Sequence, residues 1–135
     1  MRKGRTVVVF GVFDLLHPGH LAFLTAAKKL GMRLVVVVTR DSRARREKGT
    51  TPVFNERERL LMIQSLAVVD RAVLGDPPGV WRVAQRLRPD RIAVGHDQKA
   101  PRLGAHSTVL VRLPSRLRNR YSTSRIRNAL GRAKT

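Results

Sequence analysis

The sequence predicts an α/β fold, a doubly wound, mostly parallel five-stranded sheet with flanking helices, on three observations. Short β-branched runs alternate along the chain with longer amphipathic stretches. The run "RLVVVVT", residues 33–39, is continuously apolar, as a strand covered on both faces must be. Polar clusters follow three of the strands, at Gly11–His20, Arg40–Lys48 and Gly95–Gln98, where such sheets bind ligands beyond their carboxyl ends. A length of 135 residues with 42% apolar content suits one domain, 1–135, with one core.

Each element has its own signal. Thr6–Gly11 reads as a buried strand. Gly19–Leu30 reads as a helix, with Leu21, Leu24 and Ala27 at helical spacing and Gly31 as its stop. Arg33–Thr39 is the second strand. Arg40–Phe54 is basic and predicts an irregular connection. Asn55 caps a helix through about Ala67, with Glu58 placed to complete a capping box. Val68–Leu74 is the third strand, "GDPPG" a turn, and a helix follows to about Leu87. Arg91–Gly95 and Ser107–Arg112 are the fourth and fifth strands. Ser122–Leu130 is the last helix, ended by Gly131.

Composition limits the function. No cysteine is present, which excludes disulfides, thiolate metal sites and a thiol nucleophile. The apolar run after the basic N-terminus is too short for a signal peptide or a membrane span, so a soluble, cytoplasmic protein is expected. The net charge is +19, from 28 basic and 9 acidic residues. Such a surface attracts polyanions, but the arginines are spread along the chain and form no basic arm. One Trp, one Tyr and four Phe provide no stacking platform for nucleic acid, so no specific nucleic acid is expected. A nucleic-acid-binding protein on the same fold is the reading from a different class.

The stretch "GVFDLLHPGH", residues 11–20, carries the chemistry. His17 and His20 as zinc ligands need a further donor, which His96, His106 or Asp14 would supply. Their H-x-x-H spacing across Pro-Gly lacks the helical i, i+4 geometry of zinc proteases. As a base or nucleophile, one histidine would use Asp14 as its orienting carboxylate. As anion ligands, both stand at a helix start. There backbone N–H groups and the helix dipole attract negative charge, Pro18 presets the turn and Gly19 lets the backbone approach. The plainer alternative is a histidine that merely fills the turn.

This stretch resembles the signature of the nucleotidylyltransferase superfamily, in which a strand ends in G-x-F-D and continues to H-x-G-H. "KG" at residues 48–49, "NERERL", "VVDRAVLGD" and "YSTSRIR" match further motifs of the cytidylyltransferase-like branch in order. "VGHDQK", residues 94–99, and "RDSRARREKG", residues 40–49, look like the archaeal-type FAD synthetases within that branch. The resemblance implies a single Rossmann-like domain that transfers AMP from ATP to FMN, giving FAD and pyrophosphate. A glycerol-3-phosphate cytidylyltransferase is the alternative. Mg²⁺ or another divalent cation is expected with ATP, and relatives suggest a homodimer.

The resemblance also assigns roles. His17, His20 and Lys48 would be catalytic, the histidines contacting nucleotide phosphates and the lysine reaching both reactants from a mobile loop. Val12, Phe13, Asp14, Gly95, Asp97, Tyr121, Ser122, Thr123 and Ser124 would bind the nucleotide. The hydroxyls of Ser122, Thr123 and Ser124 would donate to its β- and γ-phosphates. Arg59 and Arg125 would contact phosphate or acceptor. A solvated helix face is the alternative for Arg59, an Asx turn for Asp97 and simple N-capping for the hydroxyls. Arg116, Arg118 and Arg120 compete for the arginine that precedes the hydroxyl motif. Asp14 is expected to hold the loop or position a ligand, since a phosphate nucleophile needs no strong base at neutral pH.

Overall fold

A computed structural model describes residues 5–95, 98–99, 108–114 and 122–133 of the chain. Its sheet starts with β1 (Thr6–Gly11) and β2 (Arg33–Val38), joined through α1 (Pro18–Lys28). The chain continues through α2 (Asp41–Lys48) and α3 (Glu56–Gln64) to β3 (Arg71–Leu74). It then runs through α4 (Arg82–Leu87) to β4 (Arg91–Gly95), β5 (Val109–Leu113) and α5 (Thr123–Ala133). Spatial order is β3-β2-β1-β4-β5, and every strand pair is parallel.

The alternation of side chains along each strand explains the continuous valine runs. Val7, Val9, Leu34, Val36 and Val38 face one layer, where Leu24 and Ala27 of α1 and Ile63 of α3 cover them. Val8, Val35, Val37, Ile92 and Val94 form the opposite core, with Val83 and Leu87 of α4 packed against it. Both faces of the central strands are therefore dry, which removes any place for a polar residue. The chain leaves β1 toward one edge of the sheet and returns to β4 on β1's other side. Beyond the carboxyl ends of β1 and β4 lies the switch point, the ordinary ligand crevice of such sheets.

Four elements differ from the sequence-based expectation by more than two boundary residues. Residues 41–48 form a helix where an irregular connection was expected. "DSRARREK" has no apolar periodicity, and its helix is fixed by polar contacts instead. Helix α3 keeps its capping box, with Asn55 Oδ1 accepting from Glu58 N at 2.9 Å and Glu58 Oε1 from Asn55 N at 3.0 Å. It ends at Gln64 because a tight turn, closed by Val69 N donating to Leu66 O, brings Leu66, Val68 and Val69 onto the core. Strand β3 accordingly begins at Arg71 rather than Val68. Helix α5 runs through Gly131 to Ala133, since that glycine keeps a right-handed backbone.

Candidate active site

The site begins where β1 ends. Gly11 admits the Phe13 ring, which folds back over it. A Cβ at Gly11 would meet Phe13 Cε2 at 2.6 Å. Phe13 and Leu15 both adopt left-handed backbone, with φ of 53° and 48°. Each costs on the order of 1–3 kcal/mol for a residue with a side chain. Asp14, between them, holds the loop in place. It is buried, its Oδ2 accepts from Val53 N at 2.6 Å, and its Oδ1 accepts from Phe54 N at 3.0 Å. Thus Asp14 ties the loop after β1 to the segment entering α3.

His17 and His20 then cap α1 through each other. His17 is the N-cap, and its Nδ1 accepts from Gly19 N at 3.0 Å. His20, at the third helical position, accepts from His17 N at 3.2 Å through its own Nδ1. This is a capping box built from two imidazoles, where serine or threonine with glutamate is usual. The rings stack, with centroids 3.7 Å apart and planes 25° from parallel. The Phe13 ring meets His20 edge-on at 5.5 Å.

This geometry sets the tautomer. A neutral imidazole whose Nδ1 accepts carries its hydrogen on Nε2. Burial pushes His17 below the usual histidine range. His20 is pushed down to about 3, first by burial, then by the nearby charges of His17 and Lys48, with Asp14 opposing. Both rings are therefore neutral Nε2–H donors at a helix N-terminus, where the macrodipole also favours an anion.

Helix α2 brings Lys48 toward this pair. Its N-terminus and that of α3 cap each other, as Asp41 N donates to Glu56 Oε1 at 2.8 Å and Glu56 N to Asp41 Oδ2 at 3.2 Å. Lys48 is the last helical residue and is exposed, and Gly49 follows with φ of 74°. Lys48 thus starts from a helix end rather than a loop.

Arg59 lies neither on a solvated face nor open to a phosphate, and both expectations for it are corrected. It is 0% exposed. Its Nε donates to Phe54 O at 3.0 Å, its Nη1 to Val12 O and Thr39 O at 2.8 Å each, and its Nη2 to Asp41 Oδ1 at 2.7 Å. It is the polar hub that gathers the loop after β1, the end of β2, α2 and the start of α3. Val12 enters the site through its backbone, which this arginine anchors.

Helix α5 docks on the same loop. Ser122 Oγ accepts from Arg125 N at 3.1 Å, which leaves its O–H hydrogen to donate elsewhere. Thr123 Oγ1 donates its only hydrogen to Asp14 O at 2.6 Å. It therefore docks the helix here, and the expected Thr123 donation to phosphate is corrected. Ser124 and Arg125 are exposed in the first turn. Arg127, which the motif reading passed over, pairs with Asp14 Oδ2 at 3.2 Å. The i, i+4 spacing of Thr123 and Arg127, which puts both on one helix face, was the available signal.

Beyond β4, Gln98 clamps the switch point. Its side chain donates to Phe10 O at 2.7 Å and accepts from Gly95 N at 3.1 Å. Its amide thus joins the ends of β1 and β4. Asp97, Tyr121, His96, His106, Arg116, Arg118 and Arg120 lie outside the described residues. Among the described residues no group of three or more His, Asp or Glu side chains is placed to hold a metal, and no helix is long and apolar enough to cross a membrane.

Comparison with known proteins agrees with this architecture. The family model described as cytidylyltransferase-like matches residues 8–129. The chain is 52% identical over 93 residues to the FAD synthase of Aciduliprofundum boonei, covering 69% of this chain and 62% of that one. It is 50% identical over 93 residues to the FAD synthase of Thermoplasma volcanium, covering 69% and 65%. It is 48% identical over 98 residues to that of Methanothermobacter marburgensis, covering 70% and 60%. The chain thus spans less than two thirds of the length of these curated relatives. A crystal structure titled as a lipopolysaccharide core biosynthesis protein from Thermoplasma volcanium superposes with a TM-score of 0.73 at 41% identity, covering 81% of this chain and 95% of that one. The strand order, the switch-point loop with its paired histidines and the match over residues 8–129 lead to one assignment: the chain belongs to the cytidylyltransferase-like family.

Proposed function

We propose that the protein is an FMN adenylyltransferase, an enzyme that joins AMP from ATP to FMN and releases pyrophosphate. The observation that carries nucleotidyl transfer is the reciprocal histidine cap, which places two neutral imidazoles at a helix N-terminus. FMN as acceptor is supported by the similarity to archaeal FAD synthases.

In this reading a phosphate oxygen of FMN attacks the α-phosphorus of ATP. A new P–O bond forms, the bond to the β-phosphate bridge breaks, and pyrophosphate leaves. The attacking oxygen is already deprotonated at neutral pH, so no base is required. Mutual repulsion of the two anions is the main barrier, and donors fixed where charge gathers lower it. His17 and His20 supply such donors as neutral rings. Lys48 neutralises phosphates from the end of α2. Ser122 and Ser124 add donors at the start of α5, whose dipole has the same sign as that of α1.

Asp14, which acts on His20, and Asp41, which holds Arg59, are already engaged, Asp14 by two backbone amides and Arg127, Asp41 by Arg59 and Glu56 N. That donor set suits a divalent cation carried by phosphate oxygens and water rather than by a protein cage. Such an ion, Mg²⁺ in this reading, would add charge neutralisation on the triphosphate when bound. ATP and FMN are the substrates, a homodimer the assembly and the cytoplasm the compartment. The test offers ATP or CTP with FMN, glycerol 3-phosphate or a sugar phosphate and measures pyrophosphate. ATP with FMN is expected to be the productive pair. Turnover with CTP and glycerol 3-phosphate alone would replace this reading with its alternative.

A further inference from the structure

Helix α2 has a stability problem. It is eight residues long, too short to persist alone, and Arg43 and Ala44 are its only buried residues. Apolar burial therefore does not fix it. Polar anchors do, at two points. The first is its N-terminus, where Asp41 meets Arg59 and Glu56. The second is Arg43, the third helical residue, whose side chain reaches forward to the last turn. The Arg43 guanidinium sits 4.0 Å above the centre of the Trp81 ring. Its Nε donates to Glu47 Oε1 at 2.8 Å and its Nη1 to Val80 O at 3.2 Å. Trp81 in turn meets Phe10 of β1 edge-on, with ring centroids 5.9 Å apart. A continuous series of contacts thus runs from the sheet through the chain's single tryptophan to Arg43, the third residue of α2.

We infer that Arg43 and Trp81 are positioning residues for Lys48: their stack clamps α2 to β1 and so determines where the helix end presents its ammonium. Arg43 lies in the first turn, but its bond to Glu47 reaches the last turn beside Lys48 and ties that turn to Trp81 and Val80. The charge of Lys48 is already felt at His20. A guanidinium is suited to the task, because it stacks on an aromatic face while still donating in its own plane. This role rests on the proposed function, in which Lys48 acts on phosphate.

The test is a double-mutant cycle on the full chain, read in two ways. By NMR, Lys48→Ala should shift the His20 ring resonances, and Arg43→Met should shift them in the same direction. Arg43→Met should add no further shift in the Lys48→Ala background. By activity, Arg43→Met and Trp81→Ala should each lower kcat/KM about tenfold, as displaced catalytic groups do. Neither should lower it further once Lys48 is alanine, while Trp81→Phe, which keeps an aromatic face against the guanidinium, should retain most of the activity. Independent effects that add to those of Lys48→Ala would overturn the inference. So would His20 resonances that answer to Lys48→Ala but not to Arg43→Met. A wild-type protein that makes no FAD overturns the proposed function instead and leaves the NMR cycle to decide the clamp.

Discussion

His17 does two jobs with one ring. Its Nδ1 caps α1, and its Nε2 carries the hydrogen proposed to meet phosphate. Asparagine separates them, since it is a good N-cap but has no donor at the Nε2 position. His17→Asn should keep the thermal midpoint near that of the wild type while turnover falls about 10²–10³-fold, the cost of one lost transition-state donor. Turnover close to wild type in that variant would remove His17 from the chemistry. The same neutrality has a price in acid. His20 titrates near 3 in the fold and at the ordinary histidine value when unfolded. Between those values the unfolded chain binds more protons, so stability is full above about pH 7 and falls as pH drops toward 3. The slope reaches about 1.4 kcal/mol per pH unit for this one group. Urea unfolding at a series of pH values should show that slope, and His20→Gln should flatten it. The motif made both histidines visible in the sequence. Their reciprocal cap was not, because residue spacing does not say which ring nitrogen faces the backbone.

At the scale of elements, the site is assembled by two buried polar hubs, Asp14 and Arg59. Asp14 joins the loop after β1 to residues 53–54 and to α5. Arg59 joins that loop to β2, α2 and α3. Replacing Arg59 by methionine fills the space but strands three carbonyls and the Asp41 carboxylate. Loss of one partner from a buried pair of this kind costs roughly 3–5 kcal/mol, and the urea midpoint of Arg59→Met should drop accordingly. A shift within the error of the wild type would show that the hub is dispensable. Elements with an apolar period or a cap signal were legible: β1 and β4 to the residue, and α3 from Asn55 and Glu58. Helix α2 was not, because tertiary polar contacts hold it. Arg59 was misread because "ERER" describes a charged face, and nothing local says that one of its arginines turns inward.

The whole molecule is built around a switch point. Valine-rich strands dry on both faces form a rigid floor, and the polar loops beyond their carboxyl ends carry the chemistry. That floor was legible because burial on both faces leaves an unbroken apolar run. The proposed acceptor was less so, because no short motif specifies a pocket for FMN. Gly11 shows how tightly floor and loop are joined. Gly11→Ala should disturb the Phe13 ring and with it the His20 edge contact, lowering turnover more than it lowers the unfolding midpoint. Equal loss of both would assign Gly11 to stability alone. The central claim, adenylyl transfer to FMN through the paired histidines, has one direct measurement. Purified protein is mixed with ATP, Mg²⁺ and FMN, and FAD and pyrophosphate are quantified alongside His20→Ala. The account predicts both products in equal amounts from the wild type and a fall in rate of about 10²–10³-fold in the variant. No FAD from the wild type, or equal FAD from both proteins, would contradict it.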